Sequence, residues 1–511
     1  MSIVIAVVLY SLFLVWLGRA RSAHELSGYH DGGRQFSFWT VFVMVLGLWS
    51  SSVIVVQIDT GYDSGWSAVW YGISVGVMSI LVSLLVPWFR RAQYLSNSDL
   101  LGARFGLRVR RLSALVIGMT FPIFAMSNAL AQAAFFHVAF GWPLSISLVV
   151  TTLALIAALA SGGMWSLAKT QGLNTGLVLA GLALAWLRFH QLAIPHVVVS
   201  KSFGSWFGIG QGLIWVWFGM NIINALSAQA EIQAVVNARD IRRGQWAVWT
   251  STLVLLGVVF LSTWLGMQTR EAFLNGRVEG LVAYAIVLLR HAPAWFQVAM
   301  AISTWALALT WCGPLLFSGA MSLGRDLFGI DRARLGTIIA LAVEGALMVG
   351  YALWRPGEVA WWRVFGLTLR NAAVVGPTLA VWLWSDLSER AVLVSMLAGI
   401  GVGLGANAIT GFSATHFVWG INPMWLAASV AFLVLAWWRL MERRRWEWLT
   451  LGILLYGVVS WGTVVQHWTA PAVAGIVLLL AALGEVALAW LATRPYAAPV
   501  AEEVPYYQSS Q

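Results

Sequence analysis

Three consecutive hydroxyls, Ser50, Ser51 and Ser52, stand in the middle of an apolar run from Ser37 to Gly65, directly after Leu46-Gly47-Leu48-Trp49. A second polar cluster lies in the run 206–236, where Asn221 and Asn224 are three residues apart and share a helix face, and Gln229 and Gln233 extend the strip. Ser127, Asn128 and Gln132 form a third cluster within 113–138. Hydroxyls and primary amides donate and accept hydrogen bonds but carry no charge. In apolar surroundings they can hold a polar solute, or satisfy backbone groups freed where a helix breaks, and broken backbone at membrane depth needs protein or a cavity beside it. For the serines the plainer alternative is bonding back to their own helix.

Ionisable groups inside apolar runs are costly and are functional candidates by default. Asp59, near the outer end of the first hydroxyl-bearing helix, and Glu344, mid-span, qualify as proton-coupling candidates; Glu485 reads as a packing carboxyl. Six of the eight histidines, His137, His190, His196, His291, His416 and His467, are scattered near span ends and make no metal site. The single cysteine, Cys312, lies in an apolar run, where it serves as a small buried hydrophobe. No GxxxxGK[ST] nucleotide loop occurs, and no paired Asp, His-rich or Ser-Lys arrangement falls on facing spans, so the chain is not expected to be an enzyme or to use ATP itself. The glycines at 399, 401, 403 and 405 suit close helix packing.

The elements that must position these groups follow from composition. Of 511 residues 60% are hydrophobic and 10% charged, and mean hydropathy is +0.80; a soluble domain carries about 25% charged residues. The chain is therefore an all-α polytopic membrane protein. Spans of roughly 20 apolar residues are expected at 2–18, 37–60, 66–89, 113–138, 143–160, 165–187, 206–236, 245–267, 297–323, 335–353, 362–385, 391–409, 422–440, 447–466 and 470–492, about fifteen in all. Alternate loops differ in charge: one set holds 22 of the 30 Lys and Arg, the other only Arg188, Lys201, Arg270, Arg277, Arg290, Arg355, Arg363 and Arg370. The positive-inside rule puts the first set in the cytoplasm, the N-terminus outside and the tail from Pro495 inside, in a cell (inner) membrane. The net charge of +10 is accounted for by these loops and implies no nucleic acid. Paired tryptophans at span ends, such as Trp361 and Trp362, fit interfacial belts. Residues 91–111 read as an interfacial helix with its apolar side in the membrane, and 268–295 as an outer loop with a short lid helix.

The hydroxyl-bearing run and the Asn221/Asn224 run cross in opposite directions, and each begins five spans. Two opposed halves whose first helices are both interrupted make an inverted-repeat transporter, with its site at the midplane. Short motifs add a resemblance. Ser161-Gly162-Gly163-Met164-Trp165-Ser166-Leu167-Ala168-Lys169-Thr170-Gln171 is similar to the GG-x-x-A-V-x-x-T-D motif of the sodium/solute symporter family, and Asn97 to Gly106 to its T-x-x-E-Y-L-x-x-R-F-G. Gln233 to Asp240 resembles its Q-R-x-L-A-A-K-[SD], Thr60-Gly61-Tyr62 with Gly65 its first core helix exit, and Val374 to Leu387, through Pro377, its P-L-L-x-G-L-F-W element. The resemblance implies the leucine-transporter-type fold, a five-plus-five inverted-repeat core with flanking helices working by alternating access. The chain then divides into 1–36 (extra helix and loop), 37–187 and 188–385 (the two repeats), 386–440 (family C-terminal helices), 441–494 (an additional hairpin) and 495–511 (tail).

The resemblance also implies a sodium site, built from carbonyls aligned with Leu46 and Trp49 and from an A-x-x-S-[ST] pair. Counting back from Asp326 gives Leu307-Ala308-Leu309-Thr310-Trp311, so Leu307 and Thr310 remain as ligands and Trp311 replaces the second hydroxyl; a shifted register would use Ser303 and Thr304. The family's nearby Asp is Gln171 here, and its Arg after Gln233 is Ala234. The site is thereby weakened, and sodium or protons are the coupling ions to consider. The resulting expectation is a secondary active transporter for a small polar organic solute, bound by Ser50, Ser51, Ser52, Asn221, Asn224 and Gln229, with Ser127, Asn128 and Gln132 facing them. The alternative is a transporter-like sensor or scaffold without coupled flux. Substrate identity and oligomeric state are not readable from the sequence.

Overall fold

A computed structural model describes residues 2–19, 34–92, 94, 96–160, 164–192, 194, 199–273, 278–329, 333–355 and 359–493. Ser161, Gly162 and Gly163, His196, Arg21, Arg277, Arg332, Arg494 and the tail from Pro495 lie outside the described residues. Every span expected from the sequence coincides with a helix. The first half comprises α1 (Ser2–Arg19), α2 (Phe38–Ser64), α3 (Val69–Ala92), the short α4 (Asn97–Phe105), α5 (Leu107–Phe140), α6 (Leu144–Leu159) and α7 (Met164–Gln191). The next part comprises α8 (Gln211–Asn224), α9 (Gln229–Val236), α10 (Ile241–Ala272), α11 (Gly280–Leu289), α12 (Ala294–Met321), α13 (Ala333–Trp354), α14 (Val359–Arg370) and α15 (Gly376–Leu383). Then follow α16 (Glu389–Ile409), α17 (Pro423–Glu442), α18 (Trp446–Val464) and α19 (Pro471–Thr493). Among the described residues eleven helical segments are long and apolar enough to cross a membrane, and α8 with α9 makes a twelfth, bent by 45°. The protein is an integral, multi-pass, all-α membrane protein.

Three sequence expectations need correction. First, α2 is an unbroken helix through its glycine and its serines, because Ser50 donates to the Gly47 carbonyl at 3.4 Å rather than freeing it; only the second of the two opposed spans is interrupted. Second, α4 does not lay its apolar side in lipid. Leu100, Leu101 and Phe105 are buried against protein, and the helix is pinned by Ser96 and Ser98, whose hydroxyls each donate to Asp326 Oδ2 at 2.7 Å. Arg110 of α5 closes that knot on Asp326 Oδ1 at 2.6 Å. Third, Arg363 and Arg370, counted above with the outer loops, lie on α14, each 3% exposed.

Elsewhere the packing follows from small residues. The α2 and α10 backbones touch: a Cβ on Gly266 would sit 2.5 Å from the Ile58 carbonyl oxygen, and one on Gly61 2.9 Å from that of Thr263. The ring of Trp425 on α17 occupies the space that side chains on Gly219 of α8 and Gly475 of α19 would need. Gly399 and Gly403 make close contacts with α17, whereas Gly401 and Gly405 face open space. The short helix expected within 268–295 is present as α11, with Ala283, Ala285, Val287 and Leu288 buried; Gly280 at its start abuts Asp59.

Two predictions follow from this packing. Gly266→Leu should lower the unfolding temperature in detergent, since overpacking costs about 1–3 kcal/mol and the obstacle here is backbone that cannot rotate away. In the turn between α15 and α16, burial alone would raise the Asp386 carboxyl, but the hydrogen bond and charge of Arg439, a backbone amide and Arg443 outweigh it and hold it below its ordinary value. A depressed carboxylate stabilises the fold above its unfolded pKa, and that contribution is lost as pH falls through the folded value. Acid titration of thermal stability should therefore be steeper for the wild type than for Asp386→Asn.

Candidate functional site

The interruption between α8 and α9 is the local event that builds the site. Four residues, 225–228, leave the helical path, and in lipid their carbonyls must find donors within the protein. Asn97 Nδ2 donates to the Leu226 carbonyl at 2.9 Å, the Arg370 guanidinium donates to that of Ser227, and Asn371 Nδ2 donates to that of Met220 at 3.0 Å. Directly after Arg370 the chain makes a π-helical turn, Asn371–Val375, a distortion often found at functional positions.

Beside the interruption is a cavity of about 430 Å³. Its apolar wall is aromatic: Trp49, Tyr71, Phe121, Phe124 and Trp311. Its polar groups are Asn221, Asn224, Glu231, Arg363 and Arg370. Arg363 lies over the Trp311 ring, 4.4 Å from its centroid, and Arg370 over Phe121 at 4.5 Å; such stacking suits a guanidinium held away from water. Arg363 Nη2 donates to Ser127 Oγ at 2.8 Å. The Nε of each arginine has no hydrogen-bond partner, and among the described residues neither pairs with a carboxylate. Glu231 accepts from Ser79 through one oxygen, while the other has no partner.

The residues singled out from sequence divide into groups. Asn221 and Asn224 line the cavity, as their spacing suggested, bonded through Nδ2 to Ser74 Oγ at 2.8 Å and Met78 Sδ at 3.1 Å. Ser127 reaches it through Arg363. Gln229 is fully engaged elsewhere, accepting from Asn97 N at 2.9 Å and donating to Ser318 Oγ at 2.8 Å. Ser50, Ser51, Ser52 and Gln132 are buried but do not line this cavity. Asp59 borders α11, and Glu344 leans against Gly319 of α12; neither lines the cavity. Arg363, Arg370 and Glu231 escaped the sequence reading. The signal was available, because Arg363 and Arg370 are seven residues apart, two turns along one helix face.

Of the positions expected to hold sodium, Thr310 lies beside the α2 backbone at Gly47, where α2, α7 and α12 touch. A Cβ on Gly47 would lie 2.7 Å from Thr310 Cγ2 and 3.0 Å from Gln171 Nε2. Gln171 Nε2 donates to the Thr310 carbonyl at 3.0 Å, and Asn128 Nδ2 to the carbonyls of Ser51 at 3.0 Å and Leu307 at 3.3 Å. In the shifted register, Ser303 and Thr304 line a second cavity, of about 570 Å³, beneath α11, which Leu307 also borders.

The sequence pattern of the sodium:solute symporter family matches residues 29–202. Over those residues, about a third of its length, the chain is similar to the sodium:solute symporter family. Its fold is also that of a Na+-coupled sialic acid symporter in a substrate-bound outward-open state, with a TM-score of 0.68 at 15% identity over 85% of this chain and 95% of that one. A nucleobase-cation-symport-1 family transporter in a closed conformation with bromovinylhydantoin bound is similar at a TM-score of 0.52 and 13% identity, over 89% of this chain and 92% of that one. No curated protein matches the chain by sequence. A multi-pass chain with a sodium:solute symporter segment and this fold is a secondary active transporter, which favours coupled flux over the sensor reading. The family points to sodium as the coupling ion, but the donor set in the α2–α7–α12 seam does not fit one, since side-chain N–H groups point at its carbonyls.

Removing the cap at the interruption should be measurable. Arg370→Met removes the charged donor to the Ser227 carbonyl, which keeps the Gln229 N–H at 2.7 Å, a loss of about 1.5–3 kcal/mol for a hydrogen bond from a charged group. The expected result is a lower unfolding temperature, partly restored in Arg370→Lys.

Proposed function

We propose that this transporter carries a small organic anion with an apolar body, most simply a carboxylate, bound in the cavity between α2, α5, α8–α9, α12 and α14. The observation that carries the reading is the pair Arg363 and Arg370, two buried guanidiniums facing one cavity against a single carboxyl, Glu231. Burying unpaired charge is expensive, so the site favours a ligand that brings the opposite sign. The start of α9, with Ala228 and Ala230 at the cavity wall, adds the positive end of a helix dipole. Five aromatic side chains would take the apolar part of the solute, while Asn221 and Asn224 would orient it. The sialic acid of the related symporter is itself a carboxylate, which agrees with this class.

Transport would follow alternating access, with 37–187 and 188–385 as the two opposed repeats, 386–440 flanking them and 441–494 as an added hairpin. We place the N-terminus outside and the C-terminus in the cytoplasm of a cell membrane. The density of arginines on the α3–α4–α5 and α9–α10 connections supports that orientation.

Counterflow of labelled monocarboxylates in proteoliposomes tests the reading, with the neutral amide of each as competitor. Carboxylates should exchange and amides should not compete; equal competition by an amide sinks the proposal. A hydrogen bond to a charged group is worth about 1.5–3 kcal/mol, so Arg363→Gln should weaken apparent affinity by roughly 10- to 100-fold. The same substitution should leave thermal stability unchanged or higher, because it removes a buried charge that has no carboxylate partner.

A further inference from the structure

We infer that the ion position between α2, α7 and α12 is filled by the chain's own side-chain amides, Gln171 and Asn128, and that transport runs without sodium. The orientation of both amides is fixed by their partners. Backbone carbonyls accept hydrogen bonds and never donate them, so the atom of Gln171 facing the Thr310 carbonyl, and that of Asn128 facing the Ser51 and Leu307 carbonyls, must be the NH2 nitrogen. An NH2 group brings partial positive charge to the carbonyls that would otherwise surround a cation. Asn128 bridges α2 and α12 as a bound ion would. Gln171 brings its nitrogen to the α2 backbone at Gly47 and to α12 at Thr310.

The remaining expected ligands are also engaged. Because α2 continues unbroken through residues 46–49, the Leu46 and Trp49 carbonyls belong to its own hydrogen-bond ladder. Thr310 Oγ1 donates to the Ala306 carbonyl. The seam is dry, with Ser51, Asn128, Gln171 and Thr310 each at most 1% exposed, and none of these groups carries a negative charge. A sodium ion stripped of water there would meet two fixed N–H dipoles and no carboxylate, and a buried ion without a counter-charge is strongly disfavoured.

The inference concerns the ion alone and does not depend on which solute the cavity holds. The test is made on the purified full-length protein without organic solute, by thermal unfolding while sodium chloride replaces choline chloride at constant ionic strength, and by binding of radioactive sodium. No sodium-specific shift and no saturable binding are expected of the wild type; either one overturns the proposal. Gln171→Glu is a near-isosteric second arm, placing a carboxylate oxygen opposite the Thr310 carbonyl. It should unfold at a lower temperature than the wild type in choline and recover selectively as sodium is added. A Gln171→Glu protein as stable in choline as the wild type also overturns the proposal, and if that variant fails to fold, the wild-type titration decides alone.

Discussion

A peptide carbonyl without water must find a donor, and the way this chain meets that demand at one interrupted span governs the rest of the structure. Residues 225–228 leave the helical path, and the side-chain donors that answer come from distant parts of the sequence, Asn97 at the start of α4 and Arg370 at the end of α14, while Asn371 in the π-helical turn that follows holds the Met220 carbonyl of α8. These bonds join the short helix after α3 and the last core span to the interruption. They also explain why a guanidinium stands in the middle of the protein. Once Arg370 is committed to the Ser227 carbonyl, one cationic group already faces the cavity, and Arg363, two turns earlier, doubles it.

The cavity and the seam solve opposite problems with related chemistry. In the cavity, cationic groups are stacked on aromatic rings and left without carboxylate partners, a costly arrangement that the proposed anion would relieve. In the seam, neutral amides meet the carbonyls of Ser51, Leu307 and Thr310, where the proposal has no ion. Of the α2 serines, Ser50 bonds through its hydroxyl to its own helix and Ser51 receives Asn128 on its backbone carbonyl, while the Ser51 and Ser52 hydroxyls are buried without a partner.

Much of the architecture was legible in the sequence because it depends on hydropathy and on short-range spacing. The apolar runs gave the helices, and Asn221 and Asn224, one turn apart, fall side by side on the cavity wall. The interruption after Asn224 was anticipated, whereas the one assigned to α2 was not found, because serines can satisfy a helix as easily as they can replace its bonds. Arg363 and Arg370 were missed for a definite reason. Counting basic residues by loop treats every arginine near a span boundary as a topology marker, and α14 begins at Val359, earlier than the hydropathy of Trp361-Trp362-Arg363 suggested. The amide contacts of Gln171 and Asn128 join residues more than seventy positions apart and could emerge only from the fold.

The indole of Trp425 fits into notches made by Gly219 on one side and Gly475 on the other. It acts as a key through three helices, and α8, the upper arm of the interrupted span, is one of them. Any rocking of that arm must drag α17 and the terminal hairpin along or withdraw the key. The last helix of the chain is thereby tied to the interrupted span through a single side chain.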